Sequence, residues 1–409
     1  MENFETLYYQ LILAYYQARS NKRKTHNQIA FELNFEQNLY ALATHIVNRT
    51  YTPKSSIAFI VNKPVQREIF AADFTDRVVH HLLYNCIYHT IDKKLINDTY
   101  SCRKGKGTLY GINRVKKFIR SCTLNYTTDA YILKLDIKGY FMSINQQLIY
   151  DKMISFIDEE KNYKGISAST LTYLLEQTIF NHVAKNCTIK GKLTDWDGLP
   201  SDKSLFNKPV GIGLPIGNLT SQVFGNIYLN DLDQYIKHVL GIKYYGRYVD
   251  DMVFIHNDKE YLKKIIPLLQ QKLVPIGLSL HPKKIYMKHY TEGLLFLGQY
   301  IKPYRTYISN RTKNNFYKTI KTINSLLVQT EAIPWNIIKK IQTLLNSYLG
   351  ILNHANAFDV TKKAIGGLIK RFYNFFGFTK EITKVYIKKE FWQWHYIQTY
   401  LFTNSATIY

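Results

Sequence analysis

The stretch "GRYVDDMVFIH", Gly246–His256, sets two acids side by side between aliphatic and aromatic arms. Carboxylates beside a buried apolar strand are costly unless something compensates them. With the preceding "KYY", the segment has two apolar arms about a polar centre, the pattern of a β-hairpin. Taken alone, an Asp pair at a hairpin tip is explained by turn chemistry. A second stretch, "AYILKLDIKGYF" (Ala130–Phe141), competes with that explanation. Its apolar run is nearly continuous, as in a strand buried on both faces, and it delivers Asp136 near its end.

The intervening and following sequence supplies the topology. Helical patterns cover about 146–158, 168–185 and 218–240, with a loop-like stretch rich in Gly, Pro, Asp and Lys over 188–217. After the hairpin come a helix over Glu260–Leu273 and two strands, "LSLHPKKIYMKH" and "GLLFLGQYI". The order strand, helices, hairpin, helix, strand is the β-α-β-β-α-β arrangement of a split ferredoxin-like sheet. In that sheet the Asp136 strand lies beside the hairpin, and Asp136, Asp250 and Asp251 converge on one edge. Left unpaired they repel one another and their pKa values rise. Magnesium removes the conflict, because it prefers oxygen ligands and takes one or two carboxylates together with phosphates and waters. Two such ions about 4 Å apart clamp the attacking and leaving oxygens of an in-line phosphoryl displacement. The plainer reading keeps Asp136 as a cap or half of an ion pair and the Asp pair as a turn.

Composition favours an anionic partner. The 409 residues carry 54 Lys plus Arg against 30 Asp plus Glu, a surplus of +24. Such a surplus favours polyanions, with an anionic membrane as the competitor. No apolar stretch reaches the roughly 18 residues of a spanning helix, and the N-terminal "MENFETLYYQLILAYYQARS" makes a poor signal peptide. A folded, soluble, nucleic-acid-associated protein is expected. Cys86, Cys102, Cys122 and Cys187 form no CxxC pair and suit neither a zinc site nor a disulfide framework. "HHLLYNCIYH" (His80–His89) lies in a helical pattern and reads as packing.

Residues 5–50 read as helical, and 51–71 as short strands joined at Lys63-Pro64. Asp73–Thr90 is an amphipathic helix with Asp73 or Thr75 as its cap. "SCRKGKGTLYG" (Ser101–Gly111) is a basic loop, followed by a helix to about Arg120. From Lys302 onward the texture is helical, aromatic and basic, with 16 Lys/Arg against four acids, half of the total surplus. Frequent Lys, Asn, Ile and Tyr are also what an AT-rich genome produces.

"YVDD" in a hairpin, preceded by "LKLDIKGYF" and "GLPIGNLTSQ", resembles bacterial reverse transcriptases, most of all those of diversity-generating retroelements, over about residues 30–360. The resemblance implies an α+β right-hand polymerase: helices and fingers over 1–125, a ferredoxin-like palm over 126–301 with an insertion at about 186–217, and a helical, basic thumb and extension over 302–409. It implies RNA-directed DNA synthesis with dNTPs and two Mg²⁺ ions, Mn²⁺ being an alternative. Asp136, Asp250 and the Ile137 position would serve the metals, with Asp251 in a supporting role. Phe141 falls where the family places its steric gate against a 2′-hydroxyl. Arg67 in "KPVQREIFAADF" would contact the triphosphate, although Val65-Gln66 replaces the family's frequent Pro-Lys. Arg103 in "YSCRKGKG" is the counterpart of a template or nucleotide contact. Lys284 in "LHPKKI" matches a lysine that protonates pyrophosphate, with His281 and Ile285 departing from the usual pattern. "FLG" (Phe296–Gly298) is similar to a primer-grip hairpin, and "SYLGILNHANAF" (Ser347–Phe358) to a thumb motif.

"LPIGNLTSQ" departs most from ordinary reverse transcriptases, which show Gln-Gly and Ser-Pro where this chain has Ile216-Gly217 and Ser221-Gln222. By the resemblance, loss of the amide at 216 would remove hydrogen bonds near the incoming nucleotide and is expected to loosen base discrimination, since selectivity built on polar contacts is large. The resemblance implies a non-coding template RNA, an RNA–DNA hybrid held by its backbone, a small basic accessory protein or a second reverse transcriptase subunit, and a cytoplasmic setting in a bacterium or phage, without membrane. Two alternatives stand beside it: an antiphage-defence reverse transcriptase with its own non-coding RNA, favoured by Val65-Gln66, Gly111 and Gly139, and an inactive RNA-binding protein that kept the fold. "KKEFWQWHYIQTYLF", near the C-terminus, matches no family segment.

Overall fold

The computed structural model describes residues 2–20, 25–62, 65–158, 160–161, 163–329 and 333–391. The turn expected at Lys63-Pro64 and most of "KKEFWQWHYIQTYLF" lie outside these residues. The chain divides into two compact units, 1–118 with 130–287 and 119–129 with 288–409.

The first unit opens with helices α1 (Phe4–Arg19), α2 (His26–Leu33) and α3 (Phe35–Val47). Leu7, Leu11, Ala14 and Ala18 recur at helical spacing and form the buried stripe of α1. Strands β1 (Ser56–Val61) and β2 (Arg67–Ala71) follow as an antiparallel hairpin. Helix α4 (Phe74–Lys94) is capped by Asp73, whose side chain accepts from the Thr75 amide at 3.0 Å. Buried residues lie on several faces of α4, among them Val78, Val79, Leu82, Leu83 and Ile87. His80 is buried there too, and burial pushes its pKa down to about 3. Helix α5 (Thr108–Cys122) leads towards β3 (Tyr131–Leu135), after which come α6 (Gln146–Ile154) and α7 (Ala168–Ile179).

The loop-like stretch is more ordered than its composition predicts. Its first residues form β4 (Cys187–Ile189), which pairs in parallel with β1, and short 3₁₀ turns occupy Leu193–Trp196, Ser201–Lys203 and Leu205–Asn207. Helices α8 (Leu219–Tyr228) and α9 (Asn230–Gln234), then a π turn over Tyr235–Val239, replace the single helix expected over 218–240. The hairpin is β5 (Tyr244–Tyr248) and β6 (Asp251–His256), followed by α10 (Lys259–Leu273) and β7 (Tyr286–His289).

The central sheet has the order β5-β6-β3-β7. This is the split ferredoxin-like order, with the first strand of the motif between the hairpin and the last strand. Strand β3 runs antiparallel to β6, pairing Leu135 with Met252 and Leu133 with Phe254. These side chains join a large apolar core that includes Ile137, Phe224, Ile227, Tyr245, Leu262 and Leu269. The outer edge of β5 is covered, because Thr99 bridges Arg247 in parallel and the Tyr100 amide donates to the Arg247 carbonyl at 2.9 Å. Gly246 makes this possible, since a Cβ there would overlap the buried Tyr100 phenol oxygen.

In the second unit the texture is less helical than expected. Strands β8 (Leu294–Phe296), β9 (Gln299–Lys302) and β10 (Arg305–Ile308) form one small sheet. Helices α11 (Asn310–Gln329), α12 (Trp335–Leu352), α13 (Phe358–Gly366) and α14 (Phe372–Phe375) come next, then a hairpin of β11 (Phe376–Phe378) and β12 (Val385–Ile387). The last segment therefore contains strands as well as helices. Phe316, Ile320, Ile323 and Leu327 of α11 pack with Ile338, Ile341, Leu345 and Leu349 of α12 in a separate core. The turn at "FLG" puts Leu297 and Gly298 in the left-handed region (φ 48° and 84°), as two-residue hairpin turns require. Asn356, in "SYLGILNHANAF", fixes β10 by accepting from the Thr306 amide at 2.9 Å and donating its own amide to the Thr306 carbonyl at 2.7 Å.

Candidate active site

Sheet register places the acids. Leu135 is the last β3 residue paired with β6, so Asp136 leaves the sheet where β6 begins at Asp251. Tyr248 pairs with Asp251, which makes Val249 and Asp250 a two-residue loop. Val249 has φ 57°, a conformation β-branched residues avoid. The segment after α10 lies along the exit of β3: the His281 amide donates to the Asp136 carbonyl at 2.8 Å, and Ile137 bridges Leu280.

Each acid has a different environment. Lys284 donates through Nζ to both Asp136 oxygens at 3.0 Å. Lys134 of β3 pairs with Asp251 at 2.9 Å. Asp250 forms no ion pair among the described residues. Burial, followed by the charges of Asp136 and Asp251, pushes its pKa up to about 7. Among the described residues, no group of three or more His, Cys, Asp or Glu is arranged to hold a metal ion. The carboxylates available at this edge are Asp136, engaged by Lys284, Asp251, engaged by Lys134, and Asp250. Such a set fits an ion that takes one or two carboxylates and completes its shell with waters and phosphates. Ile137 is buried, which leaves its backbone carbonyl as the donor it could add.

Phe141 is partly buried. Its place depends on α8. A Cβ on Gly225 would lie 3.1 Å from Phe141 Cε1 and 3.4 Å from Tyr140 Cε1, and the Tyr140 hydroxyl donates to the Gly225 carbonyl. Arg67 is exposed, and β2 alternation turns Glu68 inward. Glu68 is fully buried and accepts from Trp196 Nε1 (2.7 Å), Ser204 Oγ (2.7 Å) and the Leu205 amide (2.6 Å). Gln66, half of the Val65-Gln66 departure, donates to the carbonyls of Asp195 and Asp197 at 3.0 and 3.1 Å. It therefore anchors the segment after β4.

Arg103 is not placed for a template or nucleotide. Its side chain is 5% exposed. Nε donates to Asp92 Oδ1 at 2.7 Å, Nη1 to the Ile96 carbonyl and Thr99 Oγ1 at 2.6 and 2.7 Å, and Nη2 to the Asp92 carbonyl at 3.2 Å. All three nitrogens of the guanidinium are engaged inside the protein. Ile216 packs against an apolar cluster containing Ala58, Phe70, Met142 and Leu205, and its carbonyl accepts from the Phe70 amide at 3.0 Å. Gly217 has φ 124°, and a Cβ there would lie 3.0 Å from Ile69 Cγ2 and 3.1 Å from the Phe70 carbonyl.

Sequence reading missed Lys134, Glu68, Asp233 and Arg247. For Lys134, Glu68 and Arg247 the signal was present in the strand: a charged residue inside an apolar arm carries the same cost that drew attention to the Asp pair.

A split ferredoxin-like sheet with acids at one edge defines a polymerase of reverse-transcriptase fold. A family model described as "Reverse transcriptase (RNA-dependent DNA polymerase)" matches residues 66–301. That is more than half of the chain, which belongs to this family of nucleotidyltransferases. Among solved structures, the chain is similar to apo telomerase from Candida tropicalis truncated from its C-terminal domain, at 14% identity and TM-score 0.46 over 67% of this chain and 60% of that one. It is also similar to Candida albicans telomerase in complex with a TWJ fragment of telomeric RNA, at 12% identity and TM-score 0.45 over 80% and 61%. A second structure of apo telomerase from Candida tropicalis matches at 12% identity and TM-score 0.47 over 79% and 63%. The chain spans about three fifths of the length of these telomerase chains. No curated protein matches the sequence.

Proposed function

We propose that the chain is an RNA-directed DNA polymerase that copies a non-coding template RNA into cDNA, as in a diversity-generating retroelement, with fingers over 1–125, palm over 126–301 and thumb over 302–409. The observation that carries this is the nearness of Asp136 and Asp250 at the sheet edge, where Asp250 forms no ion pair among the described residues and its pKa is pushed up to about 7. Asp136, Asp250 and the Ile137 carbonyl would hold two divalent ions, Mg²⁺ or Mn²⁺, which when bound activate a primer 3′-hydroxyl and neutralise the triphosphate. Lys134 keeps Asp251 on the sheet side, where its charge tunes the pair. Lys284, which pairs with Asp136, would give a proton to the leaving pyrophosphate. Arg67 reaches for the triphosphate from an exposed position on β2. Phe141 stacks under the deoxyribose, and Ile216-Gly217 forms an apolar floor that tolerates mispairs. The +24 surplus supports binding of an RNA–DNA hybrid through its backbone. A small basic protein or a second polymerase subunit joins the complex in this reading.

The test is extension of a DNA primer on an RNA template with Mg²⁺ and dNTPs. Extension is expected, and Phe141→Ala is expected to raise ribonucleotide incorporation at least about tenfold, the scale of a lost steric contact. Absence of extension on every primed template would favour the inactive RNA-binding reading. The antiphage-defence alternative keeps the chemistry and rests on the Val65-Gln66 departure, since Gln66 is committed to loop carbonyls. Sequencing of copurifying nucleic acid separates the two: cDNA of a template repeat marks diversification.

A further inference from the structure

Among the described residues, the largest fully buried side chain is a charged one, Arg247, which lies on β5 three residues before Asp250. It is 0% exposed, as is Asp233 of α9, its partner. Nε donates to both Asp233 oxygens at 2.9 and 3.1 Å, and Nη2 donates to Asp233 and to the Asn226 carbonyl. The Tyr245 hydroxyl donates to the same carboxylate at 2.6 Å. The remaining nitrogen, Nη1, reaches the hairpin loop and donates to the Val249 carbonyl at 2.8 Å. Burial opposes the Arg247 charge, and Asp233 with its hydrogen bonds outweighs burial, so the guanidinium stays charged.

Val249 is the residue in the left-handed region, and Asp250 follows it directly. A β-branched residue persists in that conformation only where its surroundings hold it. The backbone of Arg247 is fixed independently by the Asp98 carbonyl and the Tyr100 amide. The guanidinium thus ties a strained loop to two helices through one rigid fork. We propose that Arg247 and Asp233 are positioning residues that hold the Val249 peptide, and through it the Asp250 carboxylate, in register with Asp136. The inference rests on the polymerase reading of that carboxylate.

Lysine keeps the charge and loses the fork. Arg247→Lys is therefore expected to lower kcat about 100-fold, the penalty of a misplacement near 1 Å, with KM for dNTP and affinity for primed template within about twofold. In a Val249→Gly background, where a positive φ costs nothing, the same substitution is expected to cost about tenfold less. A protein that merely lost stability would show activity falling with its folded fraction, measured by circular dichroism, and no such rescue. If Arg247→Lys does not fold, Tyr245→Phe removes one hydrogen bond from Asp233 and is expected to cut kcat by about two- to tenfold at unchanged KM. Wild-type kcat in folded Arg247→Lys, or in Tyr245→Phe where that stands in, overturns the clamp. Asp250→Ala separates the two claims. If it extends primers as wild type does, the reading of the carboxylates falls. If it is inactive while Arg247→Lys is unimpaired, only the clamp falls.

Discussion

Asp250→Asn is expected to lower primer extension by about 1,000-fold or more, the scale seen when a preorganised transition-state contact is removed, and to make the metal-free protein more stable. The two effects have one origin. Asp250 is partly buried beside Asp136 and Asp251, and its pKa in the folded chain is pushed up to about 7 from the ordinary 3.8. A raised carboxyl pKa means that the folded state resists ionisation. Below about pH 4 both folded and unfolded chains hold the proton and no penalty exists. Between about pH 4 and pH 7 only the unfolded chain ionises, and stability falls as pH rises; above about pH 7 the penalty is complete. Asparagine removes it, so the gain is largest at pH 8, on the order of a few kcal/mol at most. Thermal melts in a chelator at pH 8 and pH 4.5 measure this directly. Added Mg²⁺ is expected to raise the wild-type melting temperature and to leave Asp250→Asn nearly unchanged. Asp251→Asn should lose far less activity, because Lys134 already neutralises that acid. Equal losses at 250 and 251 would contradict the division of roles.

The second large effect concerns Arg103. Arg103→Ala is expected to destabilise the fold by about 1–3 kcal/mol, the range for leaving buried hydrogen-bond acceptors unsatisfied. The substitution strips hydrogen bonds from the Ile96 carbonyl, Thr99 and Asp92 at once. Arg67→Ala, on an exposed residue, is expected to stay within about 0.5 kcal/mol of wild type. Urea denaturation of the two variants measures the contrast. A wild-type midpoint for Arg103→Ala, combined with a raised KM for dNTP, would return Arg103 to the nucleotide.

The palm was legible because its strands announce themselves. The arms of "GRYVDDMVFIH" and the run before Asp136 are apolar enough to be strands, and their order leaves few topologies. The order β5-β6-β3-β7 is the one that this reading requires. Arg103 was misread for a physical reason. A basic residue among glycines looks solvated, and its burial depends on carbonyls presented by the turn after α4, which no local pattern reveals. Strand β4 was missed because its partner, β1, lies more than a hundred residues upstream. Strands β10, β11 and β12 are three or four residues long, too short for a period of two to stand out. The Asp pair drew attention for its cost beside an apolar strand, and the same rule applied to Arg247 would have found the buried charge two positions before Val249.

Strand β2 shows how closely neighbouring residues can divide labour. Arg67 faces out, Glu68 faces in, and Gln66 before them grips the turn at Asp195 and Asp197. Glu68 takes three donors from Trp196, Ser204 and Leu205, so the segment from 192 to 207 is moored at several points to one short strand. Any swing of the β1–β2 hairpin would therefore pull on that segment as well. An insertion that looks like surface ornament thereby adds mass and leverage to the strand that bears Arg67. Asp202 of the same segment also pairs with Lys138 at 4.0 Å, two residues after Asp136, so the insertion links the strand that bears Arg67 to the exit of β3.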